Sequence, residues 1–280
     1  MPDPANRRTI ALVSEVFWEP DGPQRLRERL REARDLGAEV AVLPELPLNP
    51  WSPSGRTPNP EDAEPLDGPR TSTQRELACE VGIGVVGGSI ILNEAGVRHN
   101  TALAISSSGD LTGVWEKAHL PDEPGFREAD HYRPGTTPLA PLHGFGFPMG
   151  LQICSDMNRP HGSQLLAAQG AEIILAPRAT ESATWDRWRP VLVATALTAC
   201  CWVATVNRPR PEQGVLIGGP SFAVDPDGQV LVETVDRLSV FSYDPGTLGE
   251  HQRRYPGYLA LRSDLYAPAW QAVLDAEPPS

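Results

Sequence analysis

The sequence predicts an α/β domain built on one mixed sheet or on two sheets. Short apolar runs alternate with segments of helical spacing, a pattern typical of strands and helices that take turns along the chain. A hairpin pattern lies among them, so we expect antiparallel as well as parallel strand pairs. Thirty prolines and 25 glycines divide the chain into these short elements.

The elements of the first half are predicted from apolar runs for strands and from helical spacing for helices. They are, in order, a strand at 9–13, a helix at 24–36, a strand at 39–43, a helix at 71–81, a strand at 83–86, and a hairpin with strands at 101–105 and 111–115. The turn of the hairpin is Ser-Ser-Ser-Gly-Asp, which supplies the polar residues and the glycine that a turn needs.

The second half continues the same alternation after a proline-rich loop at 121–141. Its predicted elements are a strand at 149–153, a helix at 160–169, a strand at 173–175, a helix at 184–200, and strands at 202–206, 214–224 and 229–232. No change in composition marks a linker, so residues 1–280 are predicted to form a single domain.

The tail from about residue 246 is predicted to be irregular. It contains the apolar residues Tyr255, Tyr258, Leu259 and Leu261, so we expect it to pack against another surface, at an interface.

Charge and cysteine content restrict the classes of partner and the compartment. The formal net charge of -12 argues against a nucleic-acid partner, because phosphate binding requires a basic patch. The four cysteines show no metal-ligand spacing, and so few of them indicate reduced thiols. The apolar run near the N-terminus is too short for a signal peptide, and no stretch approaches the roughly 20 apolar residues of a membrane span. We therefore expect a cytoplasmic protein without membrane partners.

Glu45, Lys117 and Cys154 each follow the end of a different predicted strand. Ligands bind outside the carboxyl ends of strands in open α/β sheets, so we expect these three side chains to converge. Together they supply a base, a cation and a nucleophile for covalent catalysis. Taken singly, each has a plainer interpretation, as a turn glutamate, a surface lysine and a small buried cysteine.

The segments around these residues resemble the three motifs of the nitrilase, or carbon-nitrogen hydrolase, superfamily, in the same order and at similar spacing. The segments are Leu43-Pro44-Glu45, Trp115-Glu116-Lys117-Ala118-His119-Leu120-Pro121 and Gly150-Leu151-Gln152-Ile153-Cys154-Ser155-Asp156. The stretch at 127–135 resembles the segment with the family's fourth acidic residue, here Glu128. Further matches extend the resemblance over nearly the whole chain, at 170–174, 206–208, 218–222 and 262–266.

The resemblance implies a four-layer α-β-β-α sandwich with two mixed sheets, assembled into homodimers or larger homo-oligomers. It also implies a cysteine-dependent amidohydrolase in which Cys154 is the nucleophile, Glu45 the base and Lys117 a stabiliser of the oxyanion. The backbone N–H of Ser155 is the second expected oxyanion donor. Glu128 is expected to orient Lys117 or to help position the substrate. This chemistry requires no metal or organic cofactor.

The residues after the cysteine indicate the class of small-molecule substrate. Cys154-Ser155-Asp156 differs from the Cys-Trp-Glu of true nitrilases and is similar to the amidase and carbamoyl-hydrolase branches. We expect the pocket to be lined by Trp51, Asn158, Arg178, Ala179 and Thr180. For Trp51 a packing role is an equal alternative.

The sequence therefore predicts hydrolysis of a non-peptide C–N bond, in an amide or ureido group, through a thioester on Cys154. Ammonia or an amine would be released. One alternative is a nitrilase that converts a nitrile to an acid and ammonia. Another is a non-catalytic scaffold or binding protein that keeps the fold, although the joint presence of Glu45, Lys117 and Cys154 argues against it.

Overall fold

The computed structural model describes residues 7–276, in which strands and helices alternate as predicted. The strands are β1 Arg8–Val13, β2 Val40–Val42, β3 Ala63–Glu64, β4 Gly84–Leu92, β5 Arg98–Ile105, β6 Leu111–Glu116, β7 Met149–Leu151, β8 Ile173–Arg178, β9 Trp202–Asn207, β10 Ser221–Val224, β11 Val230–Thr234 and β12 Leu238–Tyr243. The helices are α1 Gly22–Asp35, α2 Pro69–Val81, α3 Glu128–His131, α4 Pro160–Ala168, α5 Trp185–Ala199, α6 Leu248–Gln252 and α7 Ser263–Ala276.

These strands form two mixed sheets. One sheet has seven strands in the order β12-β1-β2-β4-β5-β6, with β3 paired to β4. Its strands β1, β2 and β4 run parallel, whereas β12 and the β4-β5-β6 meander pair antiparallel. The other sheet has five strands in the order β11-β10-β9-β8-β7, of which β7, β8 and β9 are parallel.

The two sheets pack face to face, and helices cover their outer faces. Successive side chains of a strand point to opposite faces. Alternate residues of β1 therefore contact the second sheet on one face and the helices on the other. Ile10 and Leu12 join the apolar cluster shared with the second sheet, whereas Ala11 and Val13 join the cluster beneath α1 and α2. Leu192 of α5 belongs to the shared cluster and covers the second sheet. The resulting four-layer α-β-β-α sandwich confirms the fold that the resemblance implied.

Some element boundaries differ from the sequence prediction. The strand predicted at 214–224 exists only as β10, because Gly218 and Gly219 have positive φ angles of 152° and 98° and Pro220 has no N–H to donate. The sequence does not predict β12, a half-buried edge strand that pairs antiparallel with β1. The loop at 121–141 contains the short helix α3.

The tail is helical rather than irregular, since it contains α6 and α7. Many of its apolar side chains nevertheless lie in solvent, and Tyr255 and Tyr258 are 76% and 62% exposed. Trp270 of α7 does contact the body of the domain, edge-on against His161 with ring centroids 4.9 Å apart. Neither α7 nor any other helix within residues 7–276 is long and apolar enough to cross a membrane.

Candidate active site

Glu45, Lys117 and Cys154 meet where strands from the two sheets end. Glu45 follows β2, Lys117 directly follows β6, and Cys154 lies just beyond β7 in a turn of 3-10 helix. Their relative exposures are 1%, 0% and 4%, so the site is almost completely shielded from water. The three residues that follow predicted strand ends therefore lie together in the structure.

Lys117 is held between two carboxylates. Its Nζ lies 2.7 Å from Glu45 Oε1 and 2.6 Å from Glu128 Oε1. Asn100 of β5 joins the same group, with its Nδ2 donating to Glu45 Oε1 at 2.7 Å and to Glu128 Oε2 at 3.2 Å. Because an ammonium has three N–H donors, one donor of Lys117 remains after these two contacts.

Sequence reasoning misses Asn100, which lies one residue before the first strand of the predicted hairpin but within the observed β5. In the observed register Thr101 pairs with Glu116, and the next residue Lys117 donates its backbone N–H to the Asn100 carbonyl at 2.9 Å. This register places the Asn100 side chain where it donates to the two carboxylates that hold the lysine. To find Asn100 from the sequence, one must predict the register of the hairpin as well as its strands.

Burial and charge shift the proton affinities of this group. Burial alone would lower the pKa of Lys117, but the carboxylates of Glu128 and Glu45 outweigh it and hold that pKa well above its usual range. Burial raises the pKa of Glu128 from 4.5 to about 7, with the Lys117 charge opposing the rise. Lys117 is therefore charged at neutral pH, and Glu128 titrates near neutrality.

The backbone at Cys154 turns sharply. Its φ is 44°, in the left-handed region that a non-glycine residue adopts at a cost of about 1–3 kcal/mol. The thiol Sγ lies 3.5 Å from the carbonyl oxygen of Ala179. Burial raises the pKa of the thiol far above its usual range; the Glu45 charge raises it further, and Lys117 opposes the shift. The resting thiol is therefore protonated, and attack requires a base.

Glu45 has an oxygen available to act as that base. Its Oε1 accepts from Lys117 and Asn100, whereas its Oε2 is buried and has no hydrogen-bond partner among residues 7–276. Buried carboxylate oxygens are normally hydrogen-bonded, so an unpaired one at a strand end suits a functional role.

Asp156 ties the cysteine turn to the segment of Lys117. Its carboxylate accepts from the backbone N–H of Ile153 at 3.1 Å and from Trp115 Nε1 at 2.8 Å. It also accepts from the backbone N–H groups of Ala118 and His119, and His119 Nδ1 lies 2.8 Å from it. One buried carboxylate thus fixes the loops after β6 and β7 relative to each other.

The side chain of Arg208 holds the backbone at Glu45 in place through hydrogen bonds. Its Nη1 donates to the carbonyls of Glu45 and Leu46, both at 2.8 Å, and its Nη2 donates to the carbonyl of Asn49 at 3.0 Å. Glu212 neutralises the guanidinium at 2.6 Å. The sequence marks Arg208 only as part of a matching stretch, because the carbonyl groups that it binds belong to residues about 160 positions away along the chain.

An open hollow of about 540 Å³ lies beside the cysteine turn. Asn158 is the expected pocket residue that lines it, and Ser155 connects it to the buried cysteine. The full lining consists of His119, Leu120, Pro121, Ser155, Asn158 and Arg159.

The other four expected pocket residues are buried around the site and do not line this hollow: Trp51, Arg178, Ala179 and Thr180. Trp51 is fully enclosed, and its Nε1 donates to the Gly125 carbonyl at 2.8 Å, surroundings that support the packing role. Ala179 contacts the cysteine thiol through its carbonyl. The hydroxyl of Thr180 accepts from the Arg178 guanidinium.

Two solved structures with a similar fold are a carbon-nitrogen hydrolase and an amidase. The carbon-nitrogen hydrolase from Helicobacter pylori G27 aligns with a TM-score of 0.82 at 20% identity, over 94% of this chain and 98% of that one. The Nesterenkonia AN1 amidase from the nitrilase superfamily aligns with a TM-score of 0.77 at 24% identity, over 96% and 99%. A variant of that amidase is known with the acetamide moiety of fluoroacetamide covalently added at its active-site cysteine. The fold is therefore that of the nitrilase superfamily.

Sequence comparison identifies the family. The carbon-nitrogen hydrolase profile matches residues 17–239. Omega-amidase NIT2 from Homo sapiens is 32% identical over 250 residues, which are 85% of this chain and 88% of that protein. The chain belongs to the carbon-nitrogen hydrolase family.

Proposed function

We propose that this protein hydrolyses an amide bond of a small molecule, with Cys154 as the nucleophile, Glu45 as the base and Lys117 as the cationic stabiliser. The observation that carries the proposal is the unpartnered Oε2 of Glu45, next to a buried lysine and a buried protonated thiol. The omega-amidase and amidase relatives support the same chemistry.

The acylation step follows from the available donors and acceptors. Glu45 Oε2 takes the thiol proton while Cys154 Sγ attacks the amide carbon, and the electron pair of the carbonyl moves to its oxygen. The third N–H of Lys117 and the backbone N–H of Ser155 hold the oxyanion. When the intermediate collapses, the C–N bond breaks and the leaving amine takes the proton from Glu45. A thioester on Cys154 remains.

The deacylation step uses the same groups in reverse. Water gives a proton to Glu45 and attacks the thioester carbon. The carbon–sulfur bond breaks, the proton returns to Cys154, and the carboxylic acid leaves. Each turnover consumes one water and releases one amine or ammonia, so the protein returns to its starting state.

Glu128 keeps the Lys117 ammonium in place for both steps. It accepts from Lys117 Nζ, as Glu45 does, and both carboxylates also accept from the amide of Asn100. A lysine fixed by two carboxylates and a hairpin backbone has little freedom to move, which favours preorganised stabilisation of the oxyanion.

The residues after the nucleophile favour an amide over a nitrile. Cys154-Ser155-Asp156 is similar to the amidase and carbamoyl-hydrolase branches, and Asp156 has a structural role in fixing the turn. The similarity to omega-amidases also supports an amide as the substrate. A ureido group offers the same C–N bond and stays within the proposal, whereas a nitrile is the second candidate.

We also propose that the chain forms homodimers or larger homo-oligomers in the cytoplasm. Tyr266, Trp270 and Val273 lie on one face of α7 at helical spacing, and they are 60%, 53% and 49% exposed. A second copy of the chain would cover this face. The small number of cysteines, none in a disulfide within residues 7–276, supports a reducing compartment.

A panel of small primary amides and ureides, each with its matched nitrile, tests the proposed activity by ammonia release. We expect release from at least one amide or ureide, none from its nitrile, and none from any of them with Cys154→Ala. Release by Cys154→Ala at the wild-type rate would exclude the nucleophile. A folded wild type inactive toward the whole panel would favour the non-catalytic alternative.

A further inference from the structure

The carbonyl of Ala179, directly after β8, has an unusual hydrogen-bond partner. It accepts from the Cys154 thiol, whose Sγ lies 3.5 Å away, and no N–H donor to it is found within residues 7–276. The carbonyls of the residues on either side, Arg178 and Thr180, accept backbone N–H groups at 3.1 and 3.0 Å. A thiol is a weak donor, whereas buried carbonyls normally pair with stronger ones. The Ala179 carbonyl is therefore the weakly paired one of the three.

Asn207, the last residue of β9, holds the segment that carries this carbonyl. Its Oδ1 accepts from the backbone N–H of Thr180 at 3.0 Å, and its Nδ2 donates to the carbonyls of Thr180, at 3.3 Å, and Gly218. Its own backbone is also bonded, with its N–H 3.2 Å from Ser221 Oγ and its carbonyl 2.7 Å from Ser14 Oγ. The side chain is fully buried, so it fixes the backbone next to the weakly paired carbonyl.

Loss of the thiol proton would leave the Ala179 carbonyl without a donor. In the proposed acylation step the proton moves from Cys154 to Glu45, and the sulfur can then no longer donate. A buried carbonyl without a donor is unfavourable, and an anionic sulfur beside its oxygen adds repulsion. A donor supplied by the substrate at this moment would stabilise the transition state, where it accelerates the reaction most.

An amide N–H is a donor of this kind. A primary amide has two N–H groups, and one of them on the Ala179 carbonyl keeps the nitrogen beside Cys154 and Glu45, the groups that attack the carbon and protonate the leaving amine. A nitrile or an ester has no N–H to offer. Sites that hydrogen-bond a substrate N–H discriminate strongly against analogues without it, because the buried acceptor is then left unpaired.

We propose that the Ala179 carbonyl is the acceptor for the substrate amide N–H and that Asn207 is a positioning residue, which acts by fixing this carbonyl next to the nucleophile. This inference rests on the proposed role of Cys154 as the nucleophile of an amidase. It assigns the preference for amides over nitriles and esters to one carbonyl and to the buried side chain that holds its segment.

The test compares amide and ester hydrolysis by the wild type and by Asn207→Ala. The probes are a primary amide that the panel shows to be a substrate and the methyl ester of the same acid, for example butyramide and methyl butyrate. We expect the ratio of kcat/KM for the amide to that for the ester to fall at least about tenfold in Asn207→Ala, because only the amide uses the carbonyl. Circular dichroism checks that the variant is folded.

Gln74→Ala is the matched control. Gln74 of α2 is also fully buried, and its amide bonds both the N–H and the carbonyl of one residue, Gly88, at 3.0 and 3.1 Å. It also donates to the carbonyl of Arg70, so the two side chains make the same number of hydrogen bonds to the backbone. A merely structural loss should lower both rates together and leave their ratio unchanged.

A folded Asn207→Ala with the wild-type ratio would overturn the inference, and so would an equal fall of the ratio in Gln74→Ala. If Asn207→Ala does not fold, binding to Cys154→Ala replaces the rates. Butyramide should then bind at least about tenfold more tightly than 2-pentanone, which has the same shape and no N–H, and equal affinities would overturn the inference. A wild type inactive toward every amide would instead contradict the proposed function, and the inference with it.

Discussion

Lys117 Nζ lies 2.7 Å from Glu45 Oε1, while the other oxygen of the same carboxylate, Oε2, has no hydrogen-bond partner within residues 7–276. One oxygen of Glu45 therefore anchors the lysine and the other is free to exchange a proton with the thiol or with water. In the proposed mechanism, this division would let a single carboxylate act as base and acid while it continues to hold the lysine.

Removal of the lysine should destabilise the fold as well as abolish activity. In Lys117→Met the carboxylates of Glu45 and Glu128 lose their common cation, and we expect a loss of about 3–5 kcal/mol in the free energy of unfolding. Adding Glu128→Gln removes one of the two unpaired charges and should recover part of that loss. Urea unfolding measures both variants. A double variant less stable than Lys117→Met would contradict the pairing.

Glu128 should make stability fall as pH rises toward neutrality. The pKa of the Glu128 carboxyl is about 7 in the folded protein and 4.5 when the group is exposed to solvent, as in the unfolded chain. Between pH 4.5 and pH 7 the folded protein therefore binds a proton that the unfolded chain has lost. The stabilisation that this proton gives to the folded protein is fully present below about pH 4.5 and is lost as pH rises through 7. The free energy of unfolding should fall by at most about 1.4 kcal/mol per pH unit in this range.

Urea unfolding of the wild type and Glu128→Gln across this pH range checks the sign. The wild-type stability minus that of the variant should decline with rising pH, because the glutamine has no proton to lose. A difference that rises with pH would show that Glu128 is ionised throughout.

Asp156 should matter for stability through several bonds at once. Asp156→Asn replaces an acceptor oxygen by a donor that faces other donors, and charged hydrogen bonds contribute about 1.5–3 kcal/mol each. We expect the free energy of unfolding to fall by more than about 2 kcal/mol and the amidase rate to fall at least tenfold. His119→Ala removes a single side-chain partner of Asp156 at a half-exposed position and serves as the control. Equal effects of the two substitutions would contradict the central position of Asp156.

The exposed face of α7 should control the oligomeric state. Tyr266→Glu combined with Val273→Glu places two charges on this face, and we expect the oligomer to dissociate while the subunit keeps its fold. Sedimentation velocity measures the mass, and circular dichroism checks the fold. Leu36→Glu, at the exposed residue that follows α1, is the matched control and should leave the mass unchanged. A wild type that sediments as a monomer would exclude the proposed assembly.

The sequence predicts most of the layered fold because buried parallel strands are nearly continuous apolar runs, and their ends are easily located. This property also predicts that Glu45, Lys117 and Cys154 converge. β12 is absent from the prediction because an edge strand with one buried face has a weaker apolar pattern. Asn100 and Arg208 are harder to find, since their roles depend on hairpin register and on contacts between distant segments.

The most direct test of catalysis by Cys154 and Glu45 is rapid-quench intact-mass spectrometry with an amide substrate in excess. The wild type should gain the mass of the acyl group on the peptide that contains Cys154, and Cys154→Ala should gain none. Glu45→Gln should acylate roughly 10²–10⁴-fold more slowly, because a positioned base contributes about that factor. Turnover by Cys154→Ala at the wild-type rate, or a Glu45→Gln rate equal to the wild type, would contradict the mechanism.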